Sequence, residues 1–364
     1  MTERFDIEQL EVAAYTVPTD EPESDGTLAW DSTTLVLVRA RGAGKQGLGY
    51  TYGHRCIADL IRDQLEPLVR GRDAMDVGGS WWAMIHSIRN LGRPGICSMA
   101  IAAVDIALWD LKARLLGQPL CKVLGGVRER VEAYGSGGFT SYPIARLQEQ
   151  LGEWAEQGFR KVKMKIARHA EQDRDRIRAA REAIGDDVDL FVDANGGYRR
   201  KQALGQMPYL QEQGVTWFEE PVSSDDLDGL RLIRDHGAGD VQVSAGEYGY
   251  HTPYFRDMLA AEAVDVLQAD ATRCSGISGF MEVSALCSAF HVPLSSHTAP
   301  SVHLHAACAA EPLRHMEWFH DHVRIEQLFF DGAARAEKGY VTPDLSRPGL
   351  GIELKSRDAQ RYAI

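Results

Sequence analysis

Between residue 131 and residue 319 the chain repeats one unit eight times. The short β-rich runs VEAYGSG, RKVKMKI, VDLFVDAN, VTWFEEP, VQVSAGE, VDVLQAD, HVPLSSH and RHMEWF each begin roughly 20 to 30 residues after the last. Amphipathic stretches such as IARLQEQLGEWAEQ and DRDRIRAAREAIG lie between them. Strands alternating with helices of that length form βα units, whose strands run parallel. Eight such units in series predict a closed (β/α)8 barrel of the α/β class rather than an open sheet. An open doubly wound sheet would carry a Gly-rich phosphate loop after an early strand. The GSGGF at 135–139 lacks the GxGxxG spacing.

The first 125 or so residues follow another rhythm. Residues 5–17 (FDIEQLEVAAYTV) and 33–41 (TTLVLVRAR) read as strands, separated by the acidic loop PTDEPESDGTLAWD. GLGYTYGH reads as a turn-rich segment, and helical patterns cover roughly 55–70 and 98–116. Strands followed by helices make an α+β pattern.

Composition removes several function classes. The 364 residues carry 40 Lys and Arg against 52 Asp and Glu, a formal charge of -12, so the basic footprint of a nucleic-acid binder is missing. The longest apolar run, near Ile101–Trp109, is broken by Asp105 and falls far short of the roughly 20 residues that span a bilayer. The start, MTERFDIEQLEV, has no apolar signal core. Six cysteines are scattered without a CxxC pair and read as reduced, mostly buried thiols of a cytoplasmic protein.

In a (β/α)8 barrel the catalytic groups stand at the C-terminal ends of the strands. Here those ends carry, in order, Lys163 and Lys165, Asp193, Glu219 and Glu220, Glu247, Asp270, His297 and Glu317. Charged residues are rarely buried unless paired, so seven consecutive strands ending this way form a pattern. Asp193, Glu219 and Glu247 lie on neighbouring strands and can converge on one point. Hard carboxylate oxygens without cysteine suit Mg2+, with Mn2+ as an alternative, rather than zinc. Asp270 and His297 lie on adjacent strands, where a carboxylate can fix the tautomer of an imidazole and support its protonated form. In KVKMKI the period of two places Lys161, Lys163 and Lys165 on one face and Val162, Met164 and Ile166 on the other. Alone, such a strand reads as one with a solvated side. As the second of eight barrel strands, its lysine face points inward.

These residues resemble the enolase superfamily, specifically its mandelate racemase subgroup, over nearly the whole chain. The resemblance rests on the ordered set Lys-x-Lys, Asp, Glu, Glu, Asp, His, Glu, on AAVDIALWDLKARLLGQPLCKVLGG at 102–126 and on PGLGIEL at 348–354. It implies an α+β capping domain, built from residues 1–127 and a C-terminal segment 331–364, over a modified barrel at 128–330. It implies metal binding at Asp193, Glu219 and Glu247. It makes Lys165 one acid/base and His297, supported by Asp270, the other. It makes Lys163 and Glu317 partners of the substrate carboxylate, with Glu317 protonated. Glu220 would lie behind the metal at most, and Lys161 has no assigned role.

The step shared by the family is removal of a proton α to a carboxylate, which leaves an enediolate that must be strongly stabilised. A lysine base must shed its proton near pH 7 although its ordinary pKa is about 10.4. Lys163, about 7 Å away on the same face, is therefore expected, together with the metal, to lower Lys165. Two opposed bases allow racemisation or epimerisation of a 2-hydroxy acid. They equally allow loss of a β-hydroxyl from an aldonate or aldarate, giving a 2-keto-3-deoxy acid. The resemblance favours this carbon–oxygen lyase (dehydratase) activity on a small-molecule carboxylate. A cycloisomerase and a non-catalytic ligand-binding barrel are the remaining alternatives. Asp20 in the acidic loop, Trp30, Tyr52, His54 and Asn195 are candidate substrate contacts. The resemblance also implies a homo-oligomer, dimer or octamer. Neither nucleic acid nor a membrane is expected as a partner.

Overall fold

The segment GLGYTYGH is mostly a strand. The computed structural model describes residues 4–364, and its N-terminal part is an antiparallel sheet of β1 (Gln9–Ser24), β2 (Ala29–Gly42) and β3 (Lys45–Tyr52), in that order. Gly47 and Gly49, which suggest a turn in the sequence, instead permit close packing. A Cβ at Gly47 would stand 2.2 Å from the Ala107 carbonyl oxygen, and one at Gly49 would stand 2.3 Å from that of Ala103. Both carbonyls belong to the helix Ile96–Leu115, which lies directly on the sheet. Every residue of that helix from Cys97 to Leu108 is buried. A helix apolar all round needs partners on several sides. It has the sheet on one side and the helix Gly276–Phe290 on another.

The two aspartates of this helix are joints. Asp105 accepts from the Ser278 backbone N–H (2.9 Å) and hydroxyl (2.7 Å), at the start of Gly276–Phe290. Asp110 accepts from Leu48 N on β3 (2.7 Å) and from Leu350 N in the C-terminal segment (2.6 Å). The helical stretch expected at 55–70 runs from Cys56 to Val69 with a wide turn at Ile61–Leu65. A further helix, Val77–Ser87, is capped by Asp76, whose carboxylate accepts from Gly79 N (3.0 Å).

All eight β-rich runs form barrel strands. They are β4 (Val131–Gly137), β5 (Lys161–Lys165), β6 (Asp189–Asp193), β7 (Val215–Glu219), β8 (Gln242–Ala245), β9 (Val266–Ala269), β10 (Leu294–Ser296) and β11 (Leu313–Phe319). Each pairs in parallel with the next, and β11 pairs back onto β4 from Met316↔Ala133 to Phe319↔Ser136, which closes the barrel. The register sets Lys165 beside Asp193 and Asp193 beside Glu219, so the charged strand ends share one level. Val162, Met164 and Ile166 are fully buried in the main core that the barrel makes with its helices. Inside, Tyr134, Phe191, Trp217 and Val266 pack with the His315 ring as a floor below the acids.

The last residues return to the N-terminal sheet, where Ile364 N donates to Ala14 O (3.0 Å). Among the described residues, no helix is long and apolar enough to cross a membrane.

Candidate active site

A strand that ends inside a barrel mouth points its last inward residue at the residues of its neighbours. Asp193, Glu219 and Glu247 accordingly each bring a carboxylate oxygen within 4.8 Å of the other two, and all three residues are buried. Burial and the neighbouring Asp193 push Glu219 up to about 8. Glu247 Oε2 lies 3.2 Å from His297 Nε2 but out of line for a hydrogen bond, so this buried oxygen has no hydrogen-bond partner. The buried Asn195 Oδ1 likewise has none. An all-oxygen donor set with crowded negative charge and free buried oxygens fits a hard divalent cation.

The two inner lysines are held by this acid layer. Lys163 Nζ lies 2.6 Å from Glu219 Oε1, 2.8 Å from Glu317 Oε1 and 3.7 Å from Asp193 Oδ2. Lys165 Nζ donates to Asp193 Oδ2. Lys163 by itself does not bring the lowering of Lys165 expected of Lys163 and the metal together. Burial favours the neutral amine and Lys163 adds to that, but Asp193, Glu219 and Glu247 together outweigh both and hold the ammonium above its ordinary range. The charge of Lys163 is itself answered by Glu219 and Glu317, which lie far away in sequence on β7 and β11.

Glu317 also differs from expectation, being an ionised carboxylate rather than a protonated acid. Burial would raise it, but Lys163, His297 and Lys165 together hold it near 2. It accepts from Ser136 Oγ (2.6 Å) and from Thr298 N (2.8 Å). Lys161, deeper on the same face, pairs with Glu132 on β4 (2.7 Å) and so anchors the barrel floor.

Across the mouth, His297 Nδ1 lies 2.9 Å from Asp270 Oδ2. The other oxygen of Asp270 accepts from Thr272 N and Thr272 Oγ1, both at 2.7 Å. Burial would raise Asp270, but its bond to His297 and the nearby cationic groups hold it well below the carboxylate range. Burial would lower His297, yet Glu247, Glu317 and the Asp270 bond raise it to about 9.

A cavity of about 440 Å3 opens over this cluster. Its floor includes Lys165, Asn195, Glu247 and His297, and its walls include Trp30, Tyr52 and His54. Asp20 does not line it. Its carboxylate is 2.9 Å from His320 Nε2, on the outer side of the strand extension that replaces the expected loop. Four contributors carry no signal in the sequence. Arg273 lines the floor and donates to the Glu247 carbonyl (3.1 Å). Trp217 Nε1 donates to Glu219 Oε2 (2.9 Å). Ser136 and Thr298 hold Glu317. Arg273 follows Asp270 by three residues, and that spacing is the only hint the sequence offers.

Comparison with known proteins gives the family. An Enolase C-terminal domain-like model matches residues 146–359, and a Mandelate racemase / muconate lactonizing enzyme, N-terminal domain model matches residues 10–125. The solved structure of a mandelate racemase/muconate lactonizing enzyme-like protein from Rubrobacter xylanophilus is 54% identical. It covers 99% of this chain and 100% of that one, with a TM-score of 0.97. The 3,6-anhydro-alpha-L-galactonate cycloisomerase of Streptomyces coelicolor is 32% identical over 98% of this chain and 99% of its own. The L-talarate/galactarate dehydratase of Salmonella typhimurium is 30% identical over 98% of this chain and 90% of its own. Its crystal structure liganded with Mg and L-lyxarohydroxamate has a TM-score of 0.90 at 27% identity, covering 99% of this chain and 93% of that one. The chain belongs to the mandelate racemase/muconate lactonizing enzyme family of the enolase superfamily.

Proposed function

We propose that this protein removes the proton α to the carboxylate of a sugar acid and then expels the β-hydroxyl as water, yielding a 2-keto-3-deoxy acid. The observation that carries this reading is the placement of Lys165 and His297 on opposite sides of one cavity, with Asp193, Glu219 and Glu247 in the same mouth. Those three carboxylates would hold Mg2+, the ion bound in the crystal structure of the Salmonella dehydratase. When bound, a divalent ion supplies Lewis-acid stabilisation of carboxylate charge and, at Asp193, offsets the charge that holds the Lys165 ammonium.

The chain's own groups then have distinct roles. Lys165 takes the α-proton. Lys163, an ammonium locked between Glu219 and Glu317, offers fixed positive charge to the substrate carboxylate. His297, bonded to Asp270 and facing Glu317, gives its proton to the departing hydroxyl. Asp270 keeps the ring in place throughout.

The test is incubation with Mg2+ and a panel of aldonic and aldaric acids, trapping 2-keto products with semicarbazide. Keto acid from at least one member is expected. Lys165→Ala should stop both keto acid formation and α-proton exchange in D2O, whereas His297→Asn should stop elimination and leave exchange. If wild-type protein exchanges or inverts the α-carbon of panel members and never forms a keto acid, racemisation replaces dehydration. The cycloisomerase among the relatives motivates adding lactone and anhydro acids to the same panel.

A further inference from the structure

The inner half of the cavity holds charge in matched sets. Lys165 is taken up by Asp193. Arg273 donates to the Glu247 carbonyl, and its guanidinium lies 3.5 Å from Glu247 Oε1 and 3.7 Å from Asp270 Oδ2. The outer half is built differently. Among the described residues that line it there is no lysine or arginine. Each of its two imidazoles is engaged at Nδ1 by a backbone N–H. His54 Nδ1 accepts from Cys56 N (3.2 Å) and His322 Nδ1 accepts from Ala299 N (3.4 Å). A ring nitrogen that accepts carries no proton, which leaves Nε2 as the single donor of each ring.

The fixed charge that does face the outer half is negative. Asp25 lines the cavity, its Oδ1 held by Thr27 N (2.6 Å) and Leu28 N (2.7 Å). Behind Trp30 the buried Glu23 accepts from the indole N–H at 2.7 Å, and burial pushes its carboxyl up to about 9, so it adds no charge to the wall. Arg168 touches the same loop, donating to Leu28 O (3.0 Å), but it is exposed and does not line the cavity. A second carboxylate at the far end of a substrate would meet the Asp25 carboxylate and find no lysine or arginine. A hydroxylated tail meets imidazole donors and aromatic faces that suit its C–H surfaces.

Resting on the sugar-acid reading above, we propose that the substrate is a monocarboxylate of the aldonic type with an uncharged hydroxylated tail, and that a dicarboxylate is rejected by the outer wall.

The test compares acids of one configuration that differ only at the far carbon: D-gluconate with D-glucarate, and D-galactonate with galactarate. Keto acid formation, α-proton exchange in D2O and the Mg2+-dependent shift in melting temperature are read for each. The better monoacid should exceed its diacid by roughly tenfold or more in kcat/KM, or in apparent affinity where no product forms. His54→Arg, at an exposed position, should move that ratio roughly tenfold toward the diacid. A diacid preferred over its monoacid in the wild-type protein overturns the inference and leaves the dehydratase reading intact. Monoacids that bind and exchange without forming keto acid overturn the dehydratase reading and support the inference. No Mg2+-dependent shift and no exchange with any of the four overturns both.

Discussion

Asp270 divides its two oxygens between the imidazole of His297 and the backbone and hydroxyl of Thr272. An amide of the same shape would keep the packing but could not accept from His297 Nδ1–H with its NH2 group. Asp270→Asn should therefore lower kcat by roughly 10^4, the cost of the same change in another Asp–His pair, with KM altered only a few-fold. Steady-state kinetics decide it, and an unchanged kcat would remove Asp270 from the mechanism. Trp217 sets a second expectation at this scale. Its N–H orients Glu219 while its ring stacks on Phe191, so Trp217→Phe deletes one hydrogen bond and little packing. Mg2+ affinity by titration calorimetry should fall roughly ten- to a hundredfold, with the fold intact. The residues with opposite legibility explain each other. Lys163, Lys165, Asp193, Glu219, Glu247, Asp270, His297 and Glu317 stand out because each places a charge where an apolar strand ends. Trp217 is invisible because an indole within a strand reads as packing, and the N–H that matters is fixed by χ angles. The direction of the Lys165 shift was illegible because its nearest charges come from other strands.

At the scale of elements, the eight strands are legible because length, spacing and β-rich composition agree. β3 is not, because glycine has two meanings and only the neighbouring helix decides between them. Gly26 shows the same ambiguity inside the turn between β1 and β2. A Cβ there would stand 2.1 Å from Ala194 O and 2.9 Å from Ile166 O, at the ends of β6 and β5. The turn is docked onto the barrel, with Thr140 Oγ1 donating to Asp25 O (2.9 Å) and meeting Ser24 Oγ (2.6 Å). Gly26→Ala must lift the turn, and with it Asp25 and Leu28, from the cavity wall. The loop contributes little to the core, so the cost falls on substrate capture. KM should rise roughly tenfold, with kcat and melting temperature changed far less. A KM within twofold of wild type would show that the turn does not form the wall during turnover.

For the whole molecule, the seam between the N-terminal sheet and the barrel is closed by buried acids. Burial pushes Asp105 to about 7, Asp110 to about 6 and Glu326 to about 7. Glu326 accepts from Tyr50 Oη on β3 (2.7 Å) and from Ser301 N in the helix Pro300–Ala309 (2.9 Å), so one carboxyl joins both halves. None of this is legible in the sequence, where Glu326 is one acid in an amphipathic helix. Its consequence is a definite pH dependence. The folded pKa of Glu326 lies above its unfolded value of 4.5, so the folded state binds the proton more tightly. The stabilisation is complete below about pH 4.5, declines as the unfolded chain ionises, and is gone above about pH 7. Across that window it amounts to on the order of 3 kcal/mol. Glu326→Gln holds the same place without titrating, its amide oxygen accepting from Ser301 N and its NH2 donating to Tyr50 Oη. Other groups titrate in the same range, notably Asp105 and Asp110, but they are common to both proteins and cancel in the difference. Urea unfolding of wild type and Glu326→Gln from pH 4.5 to 8 should therefore show wild type losing stability relative to the variant as pH rises to 7, then running parallel to it. A difference that stays flat from pH 4.5 to 8 would mean that this carboxyl ionises inside the fold as freely as in water, and that the seam does not hold its proton.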